Sequence, residues 1–387
     1  MQNNKEIQYN MKLLLKNGNC HDVEKAELLR KDILIADGKI ARMAEDIIPC
    51  PDCEVIDIKG KNLIPGFVDP HTHLGMVQEG FNLFLADYNE YYPSAYPALN
   101  AMDGIYHLDS AFDELRQFGT TTLCIAPGSK NVIGGRVVAL KPYKNRIIDD
   151  MAVKNPIGLK CALGENPKRD SDRKNQHNSR MGNLYILRKT LYNAKEYMMK
   201  QEENNKYDMD LEVLCDVLRK KIPLRMHAHR CDDIISAIRI KQEFDIDLII
   251  EHATEAHLII PVLKKHDIPL ILGPNLGARS KQETLKRNWN APAMLKENGI
   301  LFSFMTDYPV LSTYLLPYAA GIYLRYGLSF YDALRAITLD PARILGLDER
   351  IGSIKEGKDA DILVYGGDPF HIGSMPEMVF IEGERVN

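Results

Sequence analysis

The sequence contains no run of about 18 apolar residues, so no membrane-spanning helix is expected. Its first residues, MQNNKEIQYNMKLLL, lack the basic start, apolar stretch and small-residue cleavage site of a signal peptide. A cytoplasmic location is the expectation. Neither sign of charge is in excess: 49 Lys and Arg stand against 53 Asp and Glu, for a net charge of −4. There is no basic run of the kind used on nucleic acid or on anionic membranes, so neither is an expected partner. A paired cysteine pattern is missing too. Cys20, Cys50, Cys53, Cys124, Cys161, Cys215 and Cys231 are scattered and odd in number, which predicts free thiols instead of a disulfide framework. Cys50 and Cys53 form a C-P-D-C pair, but a structural zinc site needs two more ligands at comparable spacing and no second pair exists. Two incidental thiols on a turn are expected there. No internal repeat and no low-complexity tract is present.

What remains is an ordinary globular composition, 45% hydrophobic and 26% charged. A length of 387 residues suits a barrel with a smaller accessory domain. Residues 11–62 look like short strands joined by turns, with Asp37-Gly38 as a two-residue hairpin signal and Lys59-Gly60-Lys61 as another turn. From Leu63 the rhythm changes. Apolar bursts at 63–68, 121–126, 136–140, 157–163, 223–226, 248–250, 269–272 and 300–305 alternate with helical stretches such as 183–199, 232–244 and 257–266. The bursts are continuous, as parallel strands buried on both faces require. An α/β fold with a closed (β/α)8 TIM-type barrel is predicted, with an open doubly wound sheet as the other reading. After Gly346 the strand-and-turn style returns. Residues 1–62 and 347–387 are therefore expected to form one small composite β-sandwich domain, with a barrel over 63–346 inserted between.

Pro70-His71-Thr72-His73 directly follows the first burst. Residues two apart on a strand point the same way, so His71 and His73 would converge on one point, as a zinc-type metal requires. Two His in a loop signify little alone. More weight comes from His227 and His229 closing the fifth burst, His252 closing the sixth and Asp307 closing the eighth. Catalytic groups of such barrels sit at the C-terminal strand ends. Taken singly, each has a plain reading: a packed histidine, or a helix cap for the aspartate.

The segments LIPGFVDPHTH, MHAHR, EHAT and MTDYP, followed by DPARILGLDERIGSIKEGKDADILV, together resemble the amidohydrolase superfamily. The closer resemblance is to its imidazolonepropionase-like and prolidase-like branch, and it spans nearly the whole chain. It implies the barrel with a composite β-sandwich, one or two divalent metals with zinc foremost, and a metal-activated water. It also implies roles. His71 and His73 would hold the more buried metal, and His227 and His252 the second. Asp307 would ligate and take the proton of the water. A bridging ligand would come from Lys160, carboxylated by CO2, or from Glu165 nearer the strand end, with Lys160 preferred. A buried lysine without a purpose would carry a large desolvation cost. His229 would polarise the scissile carbonyl or orient a ligand from outside the coordination sphere. A homo-oligomer is the family habit.

The polar stretch 166–183 is expected to form a long loop at the site, where Lys168, Arg169, Arg173, Lys174 and Arg180 could bind a substrate carboxylate. For most such charges solvation is the plain reading. The Gly-rich segment 128–135 lacks the residue order of a phosphate loop and is expected to be an active-site turn. Three functions fit: a binuclear hydrolase of a C–N bond in a dipeptide, N-acyl compound or cyclic amide; a mononuclear deaminase or imidazolone-type ring-opening enzyme; and an inactive scaffold barrel. The filled ligand positions argue against the third. Substrate identity does not follow from the motifs.

Overall fold

The structure is a computed structural model describing residues 12–80, 86–90, 94–168, 179–200 and 207–387. The N-terminal strands are β1 (Lys12–Asp22), β2 (Glu27–Ala36), β3 (Lys39–Ala44), β4 (Cys53–Asp57) and β5 (Asn62–Pro65). Asp37 and Gly38 join β2 to β3 with φ of 52° and 74°, the left-handed pair of a tight hairpin.

Eight strands follow: β6 (Phe67–Thr72), β7 (Thr120–Ile125), β8 (Ile133–Leu140), β9 (Ala152–Ala162), β10 (Leu224–Ala228), β11 (Leu248–His252), β12 (Leu270–Leu272) and β13 (Phe302–Phe304). They pair in sequence order in one sheet. β6, β7 and β10–β13 are buried along their whole length, and β7 and β10–β13 accordingly read as largely apolar bursts instead of alternating strands. The sheet curls into a barrel. Asp307 N–H donates to His71 O at 3.0 Å and His73 N–H to Tyr308 O at 3.1 Å, tying the chain beyond β13 to the end of β6. Lower in the seam, Val68 and Phe304 donate instead to Ile337 and Ala336, just after the helix Phe330–Arg335.

One strand departs from the expected all-parallel barrel. β8 runs antiparallel to both β7 and β9. The reason is the length of its connections. Residues 126–132 are too few for a crossover helix, since a parallel return needs a dozen or more residues. The Gly-rich segment supplies this reversal.

The chain ends in β14 (Ile362–Tyr365), β15 (Met378–Ile381) and β16 (Glu384–Arg385). β5 pairs antiparallel with β14, so both ends of the chain share a second sheet, ordered β16-β15-β14-β5-β1-β2-β3 with β4 also on β1. The same edge of β1 holds β4 at Lys12–Lys16 and β5 at Asn19–Cys20, and its pairing with β2 shifts register between Leu15 and Gly18. Leu13, Leu15, Ile33, Ile35, Leu63, Ile362 and Phe380 form its own apolar core. Buried Lys141, just past β8, donates to Asp359 at 2.9 Å and to Asp361 at 3.0 Å, and so links the barrel to this sheet.

Cys50 and Cys53 are joined by a disulfide, correcting the expectation of free thiols there. The Pro-Asp turn brings their Cα atoms to 5.2 Å, within bridging reach. The other five cysteines are free. Among the described residues, no helix is long and apolar enough to cross a membrane.

Candidate metal centre

The barrel brings five histidines and Asp307 together in two groups at the C-terminal strand ends. The first is His71, His73 and Asp307; the second is His227, His229 and His252. Within each, the candidate ligand atoms all lie within 4.8 Å of one another. Ring centroids of His71 and His252 are 5.9 Å apart, so the groups adjoin. All six side chains are buried or nearly so.

Outer partners fix which ring nitrogen faces inward. His73 Nδ1 donates to Ala126 O at 2.7 Å, and His252 Nδ1 to Gly273 O at 2.8 Å. A carbonyl only accepts, so each Nδ1 carries the hydrogen and each Nε2 presents a lone pair. His229 Nδ1 lies 2.8 Å from Thr254 Oγ1, and His71 Nδ1 lies 3.0 Å from Glu251 Oε1. Such outer contacts commonly orient metal-ligating imidazoles.

The donor set fits a divalent cation. Asp307 Oδ1 faces His73 Nε2 at 3.4 Å and His71 Nε2 at 3.2 Å. With the His73 hydrogen on Nδ1, carboxylate and imidazole lone pairs point at each other, an arrangement that a shared cation relieves. In the second group neither ring nitrogen of His227, nor Nε2 of His229, has a hydrogen-bond partner among the described residues. Unpaired buried polar atoms are costly, and here they converge. Burial holds His227 and His229 well below the ordinary histidine range and pushes His252 down to about 3. Neutral imidazoles are the form that binds metal. Burial by itself raises the Asp307 carboxyl. The surrounding imidazoles of His252, His71 and His73 more than offset this and hold it well below the usual carboxylate range.

The backbone is bent to achieve this. His252 has φ of 70° and Asp307 φ of 52°, the left-handed region that non-glycine residues rarely occupy. Sparsely populated conformations of this kind concentrate at functional sites.

Beneath the groups lies a buried charged layer. Lys160 on β9 reaches Glu251 on β11, and Arg225 Nε on β10 donates to Glu251 Oε1 at 2.8 Å. Arg225 also donates to Pro70 O, directly before His71. Burial raises the Glu251 carboxyl, but His71, Lys160 and Arg225 outweigh this and hold it well below the ordinary range. Lys160 is thus placed at the centre, while Glu165 sits at its margin, half-buried, with its N–H donated to Glu283 Oε2 at 3.1 Å. Arg180 opens the helix Arg180–Lys200, and its Nε donates to both oxygens of Asp233, at 3.1 and 2.9 Å. Its Nε is thus engaged by a protein carboxylate, and its Nη2 lies 3.6 Å from Glu283 Oε2. Arg169, Arg173 and Lys174 lie outside the described residues.

Residues 62–386 match the Amidohydrolase family. The chain belongs to that family. This amidohydrolase is 40% identical to a solved amidohydrolase from Thermotoga maritima, with a TM-score of 0.94 over 97% of this chain and 99% of that one. Amidohydrolase tasK of Hapsidospora irregularis is 28% identical over 91% of this chain, which spans only 39% of that protein. A solved putative prolidase from Bifidobacterium longum shares the fold at 18% identity and a TM-score of 0.61, covering 97% of this chain and 94% of that one.

Sequence reasoning missed Glu251, Arg225 and Glu283. Glu251 stands directly before His252 in the motif EHAT, and strand alternation assigns neighbours to opposite faces. The left-handed turn at His252 suspends that alternation. Arg225 carried a readable signal, a charge inside the continuous apolar burst PLRM. Glu283 lies well beyond β12 in a polar segment without periodicity.

Proposed function

We propose that this amidohydrolase is metal-dependent and hydrolyses a carbon–nitrogen bond in a small molecule: a dipeptide, an N-acyl compound or a cyclic amide. The observation that carries the reading is the pair of adjoining donor triads. His71, His73 and Asp307 would hold one divalent cation, with zinc the first choice for this donor set, and His227 and His252 would hold a second. When bound, such ions polarise the scissile carbonyl and acidify a water.

The chain's own residues do the rest. Asp307, kept ionised, accepts the proton of the attacking water and delivers it to the leaving nitrogen. His229, set by Thr254, orients the substrate carbonyl or a neighbouring ligand. Tyr88 lies against His73 with ring centroids 4.9 Å apart and lines a cavity of about 900 Å³ together with Met76, Asp87, Asn89 and Ile105. A cavity of that size accommodates a small-molecule substrate.

In the binuclear reading Lys160 would be the carboxylated bridging lysine. The ion pair it makes with Glu251 favours a second reading, a mononuclear deaminase or ring-opening hydrolase in which Lys160 stays an ammonium.

The experiment is a screen of the zinc-loaded protein against dipeptides, N-acyl amino acids and cyclic amides, following amine release. Turnover is expected in one class, and Asp307→Asn should lower kcat by about 10²–10⁴-fold. Turnover unaffected by Asp307→Asn, or none in any class, would overturn the proposal.

A further inference from the structure

Glu283 is 1% exposed, on the single turn Gln282–Thr284 beyond β12, and its two carboxylate oxygens have different surroundings. Oε2 is anchored. It accepts the Glu165 N–H at 3.1 Å and lies 3.6 Å from Arg180 Nη2. Gly164 makes room for it: a Cβ at that position would stand 2.7 Å from Oε2, on a backbone with φ of 80°. Oε1 has no hydrogen-bond partner among the described residues. It points into the second histidine group, 3.9 Å from His229 Nε2 and 4.0 Å from His227 Nε2.

These distances are too long for hydrogen bonds. They are of the order expected between two atoms that share one cation at about 2.0–2.2 Å each. A lone buried carboxylate oxygen facing imidazole nitrogens that also lack partners is costly unless something positive lies between them. Arg180 does not fill that place, because its Nε is committed to Asp233 and its approach is to Oε2; the charge of Lys281 acts on Glu283 and on the three histidines, but among the described residues no hydrogen bond reaches Oε1.

We infer that Glu283 is a metal ligand, sharing a divalent transition-metal ion of the second histidine group with His227 and His229. This rests on the metal-dependent reading and goes beyond it in two respects. It draws a ligand from the loop after the seventh barrel strand, and it gives His229 a coordinating role. A carboxylate at this position also supplies an anionic oxygen to the second ion without any modification of Lys160.

The test is metal binding, read apart from activity. Chelator-treated wild type and Glu283→Gln are titrated with Zn²⁺ against a chromophoric chelator. Each is then loaded with Co²⁺ and its visible absorption recorded. The glutamine keeps the size of the side chain and an oxygen for the Glu165 N–H. Glu283→Gln is expected to bind the second ion at least about 10–100-fold more weakly and to change the cobalt spectrum. An unaltered affinity together with an unaltered spectrum overturns the assignment of Glu283 while leaving the metal-dependent reading intact. A wild type that binds no metal overturns both. If Glu283→Gln does not fold, Glu283→Asp is used, which retains the charge but shortens the reach; a wild-type cobalt spectrum in that variant likewise overturns the assignment.

Discussion

The Oε1 atom of Glu251 lies 3.0 Å from Nδ1 of His71, and Nε of Arg225 lies 2.8 Å from the same oxygen. One buried carboxylate therefore orients an imidazole of the candidate centre and neutralises the cations packed beneath it. Glu251→Gln keeps the shape but leaves Lys160 and Arg225 short of a counter-charge. Breaking a buried ion pair from one side costs about 3–5 kcal/mol. The variant should lose that much stability in urea denaturation of the chelator-treated protein. A loss within about 0.5 kcal/mol, the range of a surface change, would refute this role.

Lys160 separates the binuclear from the mononuclear reading. In the binuclear reading, Lys160→Ala releases about one ion per chain, and short carboxylic acids restore part of it by standing in for the missing oxygen ligand. Metal analysis with and without added acetate measures this. Unchanged metal content would instead assign Lys160 to charge balance with Glu251.

Lys141 joins the two sheets through three carboxylates: Asp359, Asp361 and Glu382. Lys141→Met fills the space but leaves those acids short of their buried partner, although Arg350 remains on Asp359 and Glu382. Destabilisation of about 3–5 kcal/mol is expected in a denaturant titration of the metal-free variant. A variant as stable as wild type would show that the packing of the sheet on the barrel does not depend on this network.

His21 provides a pH dependence away from the metal centre. It is buried against Phe330 and Tyr331, with ring centroids at 5.3 and 5.8 Å, and burial pushes its pKa below the ordinary value. The unfolded chain therefore binds a proton more readily than the folded one, and stability falls as pH drops below about 6.5. His21→Leu should flatten this part of the profile when urea midpoints are compared between about pH 7.5 and 5.5. An equal slope in wild type and variant would remove His21 as its cause.

The barrel was legible because strands buried on both faces are largely apolar, and the His-Thr-His pair because residues two apart share a face. The reversal of β8 was not, since a buried antiparallel strand has the same composition as a parallel one. Only the short 126–132 connection distinguishes them. The disulfide was hidden because two cysteines three residues apart read equally well as thiols. His71, His73, His227, His252 and Asp307 could be read as candidates because each lies at or just beyond the end of a barrel strand. Glu283 could not, because a loop carries it to the site and no local pattern records where that loop folds.

The most direct test of the metal centre is metal analysis of the protein purified without chelators from zinc-supplemented medium, beside His71→Ala/His73→Ala. The wild type should carry about two ions per chain, and the double variant about one fewer with its circular dichroism unchanged. A wild type free of metal, or a double variant with the wild-type content, would contradict the assignment of these triads.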